Sequence, residues 1–459
     1  MVLTRRAFLR RTGLTAAGVI GFRQIAASAS AKNLLSEPSQ LADATNSLKS
    51  EGLLAGIESA DVPLRDWSGY TNYGRVAEAL APATDAEIVE IVKACRQRGQ
   101  TCRVVGLRTS WSLYWFDQTN DLLISTKNLD QIAFDTDAMT VTCGAGVTLE
   151  TLHREAWKRG LTLATSPAPP WVTVGGAVST GSHGSVMAGS MSSSLIRCRL
   201  VNGHGEIVDL DEHHPDFDAV RISLGMLGVM TEMTLQLQKA FRLSLIQESF
   251  ETQNWEQSLF ESGPMSFVHA NLLGEQSVVF KVDYDDSSSE NNNDLIKDTT
   301  ADGVSYVRGP AHLVVMNYAP PSPTIAGSEW AVPLEKFQSV LDGFKADSQL
   351  LPAKIWMKKS AGESALLAAG SDPDKAYVQC GCYHPVNGNQ DPKIIEQMVK
   401  KVESIMLDHS GRPHFAKLIY MNPDQMRSLY PKLEQFQAVR QRMDPDGVFY
   451  TKRLKDLLG

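Results

Sequence analysis

The sequence predicts an α+β protein with two folded parts. Between residues 60 and 240, short apolar runs alternate with segments of helical period, a pattern typical of an α+β or α/β domain. Beyond residue 240 the composition changes, because residues 283–302 are acidic and rich in Ser and Asn, and residues 319–323 form a proline-rich connector. We therefore expect a second domain over residues 241–415. The 459 residues leave room for two or three domains of ~150 residues each.

Local signals place the main elements of both parts. Thr84-Asp85-Ala86-Glu87 matches a capping box, and Gly99 ends the helix that it begins. A second helix is predicted over residues 149–158, closed by Gly160. Strands are predicted at residues 102–105, 122–125, 139–143, 195–201 and 206–210, the last two joined by the hairpin signal Asn202-Gly203-His204-Gly205. In the second part we predict a strand over residues 304–318 and helices over residues 334–344 and 393–407.

Composition excludes several classes of function. Lys and Arg total 44 against 52 Asp and Glu, a formal net charge of −8, and no basic stripe is present, so we expect no nucleic-acid partner. No apolar stretch reaches the ~20 residues of a membrane-spanning helix. The six cysteines are too few for a disulfide framework. Two groups of residues could suggest a metal site: the pair Cys380 and Cys382, and the acidic loop around His213 and His214. Neither group has the ligand spacing of a common metal site, so no metal is expected.

The first 31 residues resemble a twin-arginine export signal. Arg5 and Arg6 precede an apolar run over residues 14–22, and the small residues 26–31 suit a signal peptidase. The alternative is a basic amphipathic N-terminus without a targeting role. Twin-arginine substrates usually fold before they cross the membrane, and many carry a cofactor. The signal therefore predicts a periplasmic or extracellular protein with a bound redox cofactor.

A run of glycine and hydroxyl residues, Thr173–Gly184, predicts a ligand-binding loop. Four glycines, two serines and two threonines in twelve residues are unsuited to an ordinary strand or helix. Glycine lets a backbone approach a ligand closely, while amides and hydroxyls donate to phosphate oxygens. The spacing is neither that of a Rossmann fingerprint nor that of a Walker A loop. A glycine-rich surface turn is the alternative.

Two further segments share this character. In Val104–Ser112 an apolar strand runs into a loop that carries Gly106, Arg108 and hydroxyl groups, another setting suited to a diphosphate. In Ser223–Thr231, closely spaced glycines precede a strand predicted over residues 232–237. Neither segment identifies a ligand by itself.

In this order and spacing, the three segments resemble the FAD-binding domain of the vanillyl-alcohol oxidase family. They are most similar to its aldonolactone oxidase branch, which includes gulonolactone, arabinonolactone and alditol oxidases. Three later motifs support the resemblance: Glu329–Pro333 matches E-W-A-V/I-P, Arg412–Lys417 is similar to R-P-H-W-G-K, and Asp444–Phe449 matches D-P-x-G-x-F. The resemblance implies a two-subdomain FAD-binding domain over residues 60–240 and a mixed α/β substrate cap domain over residues 241–415. A C-terminal segment, residues 416–459, would return to the FAD domain.

The resemblance also implies which residues contact FAD. They lie in the glycine-rich segments and at one strand end: Gly106, Leu107, Arg108, Thr109, Ser110, Ala145, Thr173, Gly176, Thr180, Gly181, Ser182, His183 and Val229. For Ala145 and Val229 the alternative role is packing in the core. Many members carry a flavin-linking histidine at the position of Thr109, and threonine cannot form that bond. We therefore expect noncovalent FAD.

Three residues are candidates for catalysis. Members often carry P-x-E-x-R on a cap strand over the flavin, and the matching residues 352–356 place Lys354 at the acid position and Trp356 at the arginine position. Lys417 is retained, and a cation beside the flavin stabilises negative charge on the reduced ring or on a developing alkoxide. The alternative for Lys417 is a solvated surface lysine. Trp356 favours an apolar or stacked substrate surface.

The resemblance implies an FAD-dependent oxidoreductase that oxidises a CH–OH group of a small molecule by hydride transfer to the flavin. The leading substrate class is a sugar lactone, an alditol or a related alcohol. Two alternatives stay open: a tailoring oxidase for a secondary metabolite or aromatic alcohol, favoured by Lys354 and Trp356, and a flavin-binding protein without turnover. The electrons would pass to oxygen or to another acceptor. In this branch a methyl group at the position of Ala145 is associated with poor oxygen access, which favours an acceptor such as a quinone or cytochrome.

Overall fold

The computed structural model describes residues 64–65, 72–74, 78–112, 122–272, 274–285, 294–299, 305–316, 325–350, 354–385 and 392–459. The predicted export signal and the proline-rich connector lie outside these residues. Of the helices in the described ranges, none combines the length and the apolar character needed to cross a membrane.

In its described residues, the first part of the chain forms two sheets and two short strand pairs. Its strands are β1 (Leu64–Arg65), β2 (Asn72–Gly74), β3 (Glu78–Leu80), β4 (Cys102–Val105), β5 (Leu122–Ser125), β6 (Ile132–Asp135), β7 (Thr140–Gly144), β8 (Leu161–Thr162), β9 (Leu195–Val201), β10 (Ile207–Asp211), β11 (Val229–Gln236) and β12 (Gln238–Lys239). A parallel sheet has the order β3-β5-β4, and an antiparallel sheet has the order β10-β9-β11-β7-β6. Strand β1 pairs with β2, and β8 pairs with β12.

The helices that accompany these sheets in the described ranges are α1 (Asp85–Arg98), α2 (Leu149–Trp157), α3 (Val174–Ser179) and α4 (Phe217–Arg221). The capping box of α1 is confirmed, because the Thr84 hydroxyl accepts the amide of Glu87 and the Glu87 carboxylate accepts the amide of Thr84. Gly99 ends α1 with a φ of 61°, in the left-handed region that glycine adopts without strain. The predicted hairpin around residues 202–205 is also confirmed, since β9 and β10 pair antiparallel on either side of it.

Over the part of the cap that the structure describes, nine strands form one antiparallel sheet, accompanied by four helices. The strands are β13 (Arg242–Glu251), β14 (Met265–Ala270), β15 (Gln276–Tyr284), β16 (Ile296–Thr299), β17 (Ser305–Pro310), β18 (Ile325–Pro333), β19 (Lys354–Ala361), β20 (Ala376–Pro385) and β21 (Arg412–Pro413). Their order in the sheet is β16-β17-β13-β15-β14-β19-β20-β18-β21. The helices are α5 (Trp255–Phe260), α6 (Ala311–Met316), α7 (Phe337–Ala346) and α8 (Pro392–Asp408).

The C-terminal segment packs against the first part of the chain. It contains α9 (Pro423–Leu429), α10 (Leu433–Met443) and α11 (Lys452–Leu458). The carboxylate of Asp444, which is fully buried, accepts the amides of Val448 and Phe449 at 2.8 Å each. The backbone of this turn then binds β4, because the Cys102 amide donates to the Val448 carbonyl at 2.7 Å.

The structure differs from the sequence predictions at two places. The strand predicted over residues 304–318 ends at Pro310, and residues 311–316 form α6. Proline has no amide to donate to a neighbouring strand, so the sheet pairing stops there. The apolar residues that follow pack into the core as a helix. The glycine-rich run, predicted to form neither strand nor helix, contains α3, which begins at the N-cap Thr173. The six cysteines are all buried free thiols, as expected.

The two parts of the chain also meet at a pair of histidines. His153 on α2 and His312 on α6 stack with ring centroids 5.6 Å apart and an angle of 9°. The Nε2 atom of His153 forms a hydrogen bond of 2.8 Å with the Ser166 hydroxyl. Burial lowers the pKa of His153 to about 3 and that of His312 to about 4, so both rings are neutral at pH 7.

Candidate active site

A deep cavity lies between the glycine-rich segments of the first part and the large sheet of the cap. Its volume is about 250 Å³. Most of the predicted FAD contacts line it: Gly106, Leu107, Arg108, Thr109, Ser110, Ala145, Thr173, Gly176, Thr180, Ser182 and His183. From the cap side it is lined by Ile325, Glu329, Trp356, Lys358, Tyr383, His414, Ala416 and Lys417.

The loop after β4 approaches α3 so closely that Gly106 has no room for a side chain. A Cβ at this position would lie 2.9 Å from Cγ2 of Thr173 and overlap its hydroxyl. That hydroxyl is the N-cap of α3, because it accepts the amide of Gly176 at 3.2 Å. Within the described part of the chain, the amides of Gly106, Leu107 and Thr109 have no acceptor. Backbone donors in a side-chain-free groove suit a diphosphate.

The glycine-rich run completes this groove with a short helix and a turn. The face of Gly175 packs on Ala145, whose Cβ would lie 2.8 Å from a Cβ at Gly175. The Thr180 hydroxyl closes the helix by donating to the Gly176 carbonyl at 2.8 Å. Gly181 has a φ of 67°, so an L side chain there would be strained. The close approach of β7 to α3 therefore depends on small residues on both sides.

The cap contributes a buried carboxylate at the centre of a polar cluster. Glu329 on β18 is 2% exposed. One of its oxygens lies 3.0 Å from Nζ of Lys358 and 3.4 Å from Nε2 of His183. The other accepts the hydroxyl of Tyr383 at 2.8 Å and lies 3.6 Å from Nζ of Lys417.

The charges of this cluster set the pKa values of its members. Burial alone would raise the pKa of Glu329, but the ammonium groups of Lys358 and Lys417 outweigh it and hold this pKa well below its usual value. Burial lowers the pKa of Lys417, although the charge of Glu329 opposes this effect. Burial and the Lys358 charge lower the pKa of His183 to about 4. At pH 7 the cluster therefore holds an ionised carboxylate and a neutral His183.

Tyr383 reaches Glu329 because residue 381 is glycine. In the register of the sheet, Gly381 lies opposite Glu329 on β18 and opposite Trp356 on β19. A Cβ at Gly381 would lie 2.7 Å from both Cζ and the hydroxyl of Tyr383. The phenol ring therefore lies across the position that a side chain would occupy.

Aromatic rings form the wall around Lys417. Its Nζ lies 4.6 Å from the ring of Trp111 and 5.7 Å from that of Tyr383, distances typical of cation–π contacts. Trp356 packs against Tyr383 at 5.4 Å and stacks on His269 at 4.7 Å. The cavity thus combines charged groups with flat apolar surfaces.

His183, Glu329 and His414 offer ligand atoms within 4.8 Å of one another, the spacing of a metal site. A cation at this place would compete with Lys358 and Lys417, which already neutralise the carboxylate. The chemistry of these neighbours therefore favours ammonium groups over a metal ion.

The structure places three of the predicted site residues elsewhere. Lys354 is exposed at the first position of β19 and does not line the cavity, whereas Lys358, four residues further along the same face, does. Val229 is fully buried in β11, and its neighbours Gly228 and Met230 line the cavity instead. Gly181 borders a second, smaller space behind His183.

Several charged and aromatic residues of the cavity were not predicted as site residues, among them Trp111, Glu329 and Lys358. Glu329 could have been found, because a lone carboxylate within the largely apolar run Ile325–Pro333 requires a partner. Lys358 follows from the register of the cap strands and Trp111 from the path of the first loop, which the sequence does not show.

Comparisons with known proteins agree with this geometry. The FAD-binding domain family matches residues 77–211, and the D-arabinono-1,4-lactone oxidase family matches residues 324–457. L-gulono-1,4-lactone dehydrogenase of Mycobacterium tuberculosis is 27% identical over 82% of this chain and 95% of its own length. L-gulonolactone oxidase of Bos taurus is 24% identical over 86% of this chain and 98% of its own. Cholesterol oxidase from B. sterolicum has a similar fold, with a TM-score of 0.72 at 16% identity over 86% of this chain and 96% of its own.

These matches define an FAD-dependent oxidoreductase with a fold of the vanillyl-alcohol oxidase type. Within that class the chain is similar to the aldonolactone oxidase branch, and the match to the D-arabinono-1,4-lactone oxidase family covers the part that carries Glu329, Lys358 and Lys417. The protein is an FAD-dependent oxidase or dehydrogenase, as the sequence predicted. The groove of Gly106, Thr173 and Gly176 fits the cofactor, since its amides and side-chain-free surface suit the FAD diphosphate.

Proposed function

We propose that the protein oxidises a CH–OH group of a sugar lactone of the aldonolactone type. The observation that carries the proposal is the buried Glu329 cluster, which the cap presents to the cavity lined by the FAD loops. The hydroxyl groups of a lactone can bind to the two ammonium groups and the phenol, while its ring packs on Trp356. The names of the two relatives above, a gulono-1,4-lactone dehydrogenase and a gulonolactone oxidase, support this substrate class.

Bound FAD supplies the acceptor for a hydride. The protein's own residues would orient the substrate and stabilise charge. Lys417, held between Glu329 and the ring of Trp111, is placed to stabilise negative charge that develops on the substrate oxygen. Glu329 in turn fixes Lys358 and Lys417, and the cap sheet excludes bulk water from the cluster.

Anaerobic mixing with candidate substrates tests this proposal. We expect L-gulono-1,4-lactone or D-arabinono-1,4-lactone to bleach the bound flavin faster than xylitol or vanillyl alcohol. Lys417→Met should retain FAD but slow bleaching by ~10²–10³-fold, the usual effect of removing one charge-stabilising group. Lys354→Met is the matched control, because Lys354 is exposed and lies outside the cavity. Equal rates for the two variants would refute the role of Lys417.

A second candidate is an aromatic or other apolar alcohol. The rings of Trp111, Trp356 and Tyr383 favour it, because they offer a flat apolar wall beside Lys417. Faster bleaching by vanillyl alcohol than by any lactone, abolished in Trp356→Ala, would establish this alternative.

We propose further that the reduced enzyme reacts slowly with oxygen and passes its electrons to a quinone, a cytochrome or a dye. Ala145 lines the cavity, and its methyl group packs against Gly175. Oxygen must reach the flavin ring, and one methyl group can close a narrow path. Ala145→Gly should therefore accelerate reoxidation by oxygen, measured by stopped flow. Rapid reoxidation of the wild type, or no gain in the variant, would contradict the argument.

The N-terminal signal leads to a proposal about location. We propose that residues 1–31 direct twin-arginine export to the periplasm or the cell exterior, after FAD has bound. The support is the arginine pair before the apolar run. Arg5→Lys with Arg6→Lys should retain the holoprotein in the cytoplasm. Normal export of the double variant would refute this location signal.

A further inference from the structure

A second, smaller chamber lies behind the two histidines of the active cavity. Its volume is about 20 Å³, and Thr180, His183 and His414 line both spaces. The imidazole rings of His183 and His414 lie 5.4 Å apart at an angle of 50°, so they border the active cavity on one side and the chamber on the other. A space of ~10–15 Å³ is enough for one water molecule.

The chamber continues the face of the cap sheet that forms the active cavity. On β19, Trp356 and Lys358 line the cavity, and Ser360, two residues on, lines the chamber. On β20, Tyr383 lines the cavity and Gln379 lines the chamber. The two spaces are therefore neighbours along one sheet face, separated by the histidine pair.

Gln379 brings a polar atom without a hydrogen-bond partner to the chamber. Gln379 is 5% exposed, and its Nε2 donates to the Ser360 hydroxyl at 2.9 Å. Its Oε1 is buried and has no hydrogen-bond partner among the described residues. Buried amide oxygens are almost always hydrogen-bonded, and in a polar space of this size water is the usual donor.

Glu363 connects the chamber with solvent. It lines the chamber and is partly exposed. Its carboxylate is fixed by the hydroxyls of Ser192 at 2.6 Å and Ser190 at 3.1 Å and by the amide of Ser190 at 3.3 Å. Burial raises the pKa of Glu363 above its usual value, so this carboxyl takes up a proton more readily than an ordinary surface glutamate.

We propose that the chamber binds one water molecule, and that the histidine pair, this water and Glu363 conduct the proton of the substrate hydroxyl to solvent. The inference rests on the proposed oxidation of a CH–OH group. As the C–H hydride goes to the flavin, the O–H bond breaks, the carbonyl forms and the proton passes to the histidine pair. The water carries a proton on to Glu363, which releases one to solvent and ends the turnover in its original state.

The charge of the active cavity explains why a route is needed. Lys358 and Lys417 place two positive charges against the single negative charge of Glu329. A proton retained on His183 would add a third positive charge within the same buried cluster, which the low dielectric of the interior disfavours. The neutral histidines are therefore suited to pass a proton on rather than to keep it.

A crystal structure of the FAD-bound enzyme tests the water directly. We expect one ordered water within hydrogen-bond distance of Gln379 Oε1 and the Glu363 carboxylate. Gln379→Leu, similar in size and without the amide, should lose this water. A wild-type chamber without water would overturn the proposal, whatever the substrate proves to be.

Anaerobic stopped flow with a pH-indicator dye tests the route. With any substrate that bleaches the flavin, we expect proton release to keep pace with bleaching in the wild type. In Glu363→Gln and Gln379→Leu, release should lag behind bleaching by at least tenfold. Glu403→Gln is the matched control, because the Glu403 carboxylate also accepts a backbone amide, that of Tyr420 at 2.6 Å, its pKa is also raised, to about 7, and it lines neither space.

The outcomes separate this proposal from the proposed function. If no alcohol or lactone bleaches the flavin, the proposed oxidation fails, and the crystallographic water still decides the chamber. If bleaching occurs and Glu363→Gln releases protons as fast as the wild type, the proton route is refuted while the oxidation stands. Flavin content of each variant, measured by absorbance, shows that the fold is retained.

Discussion

Replacing Gly106 by alanine tests whether the loop after β4 and helix α3 form one FAD-binding surface. The added Cβ would overlap the Thr173 hydroxyl and lie 2.9 Å from its Cγ2 and 3.1 Å from its Cβ. A rotation of Thr173 about χ1 that turns the hydroxyl away would break its N-cap bond to the Gly176 amide and would leave its Cβ 3.1 Å from the new side chain. Either the cap is lost or the loop and the helix move apart, and both changes alter the groove.

The size of the effect follows from two contributions. Overpacking of a buried contact costs ~1–3 kcal/mol, and loss of the Thr173 cap of α3 adds ~1 kcal/mol. We expect Gly106→Ala to lower the free energy of unfolding of the apoprotein by about 2–4 kcal/mol. The same strain opposes the groove geometry that binds FAD, and each ~1.4 kcal/mol of it raises the Kd for FAD about tenfold. The purified variant should therefore hold clearly less flavin than the wild type.

Urea unfolding of the apoprotein and the absorbance of the purified holoprotein provide the two readouts. Gly343→Ala is the matched control, since a Cβ there would meet the Ile405 side chain at 3.1 Å and Gly343 lies outside the cavity. Combining Gly106→Ala with Thr173→Ala removes both colliding atoms, so the double variant should be more stable than the sum of the single effects by ~1 kcal/mol or more. Wild-type flavin content and stability in Gly106→Ala would refute the reasoning.

Three further predictions concern the interface, the cap and the cofactor. The stacked His153 and His312 have folded pKa values of about 3 and about 4, below the ordinary value of 6.5, so the unfolded chain binds more protons between those values. The free energy of unfolding should therefore fall as the pH drops from 6.5 towards 3. Urea titrations at several pH values measure this fall, and it should be shallower in His312→Gln. The same pH dependence in the variant and the wild type would contradict the prediction. Gly381→Ala should displace the phenol of Tyr383 from Glu329. Because a hydrogen bond to a charged group is lost, flavin reduction should slow by ~10-fold or more, about as much as in Tyr383→Phe. Wild-type rates in Gly381→Ala alone would disprove the steric argument. Acid precipitation should release the flavin into solution, since Thr109 cannot form the histidyl link; a yellow precipitate would reveal another attachment.

Much of the fold could be predicted because the signals are local. The capping box at Thr84 and the hairpin at residues 202–205 are each encoded within a few residues and hold regardless of what packs against them. The glycine-rich run lines the cavity, where a ligand-binding loop is expected, but its helix was not predicted. Helix α3 forms there because Thr173 caps it and because Gly175 packs on Ala145, which lies in the turn after β7.

The candidate site could be predicted only in part, because the cap residues depend on strand register. Alternation along β19 places Lys354, Trp356 and Lys358 on one face, and the sequence selects none of the three. The selection comes from the pairing of β19 with β20. Lys354 lies opposite Tyr383, near the end of β20, whereas Lys358 lies opposite Gln379, in the middle of that strand. Glu329 adds a constraint that the sequence does contain. A carboxylate buried in the middle of a largely apolar strand requires cations nearby, and the fold supplies them from β19, where the register selects Lys358, and from Lys417.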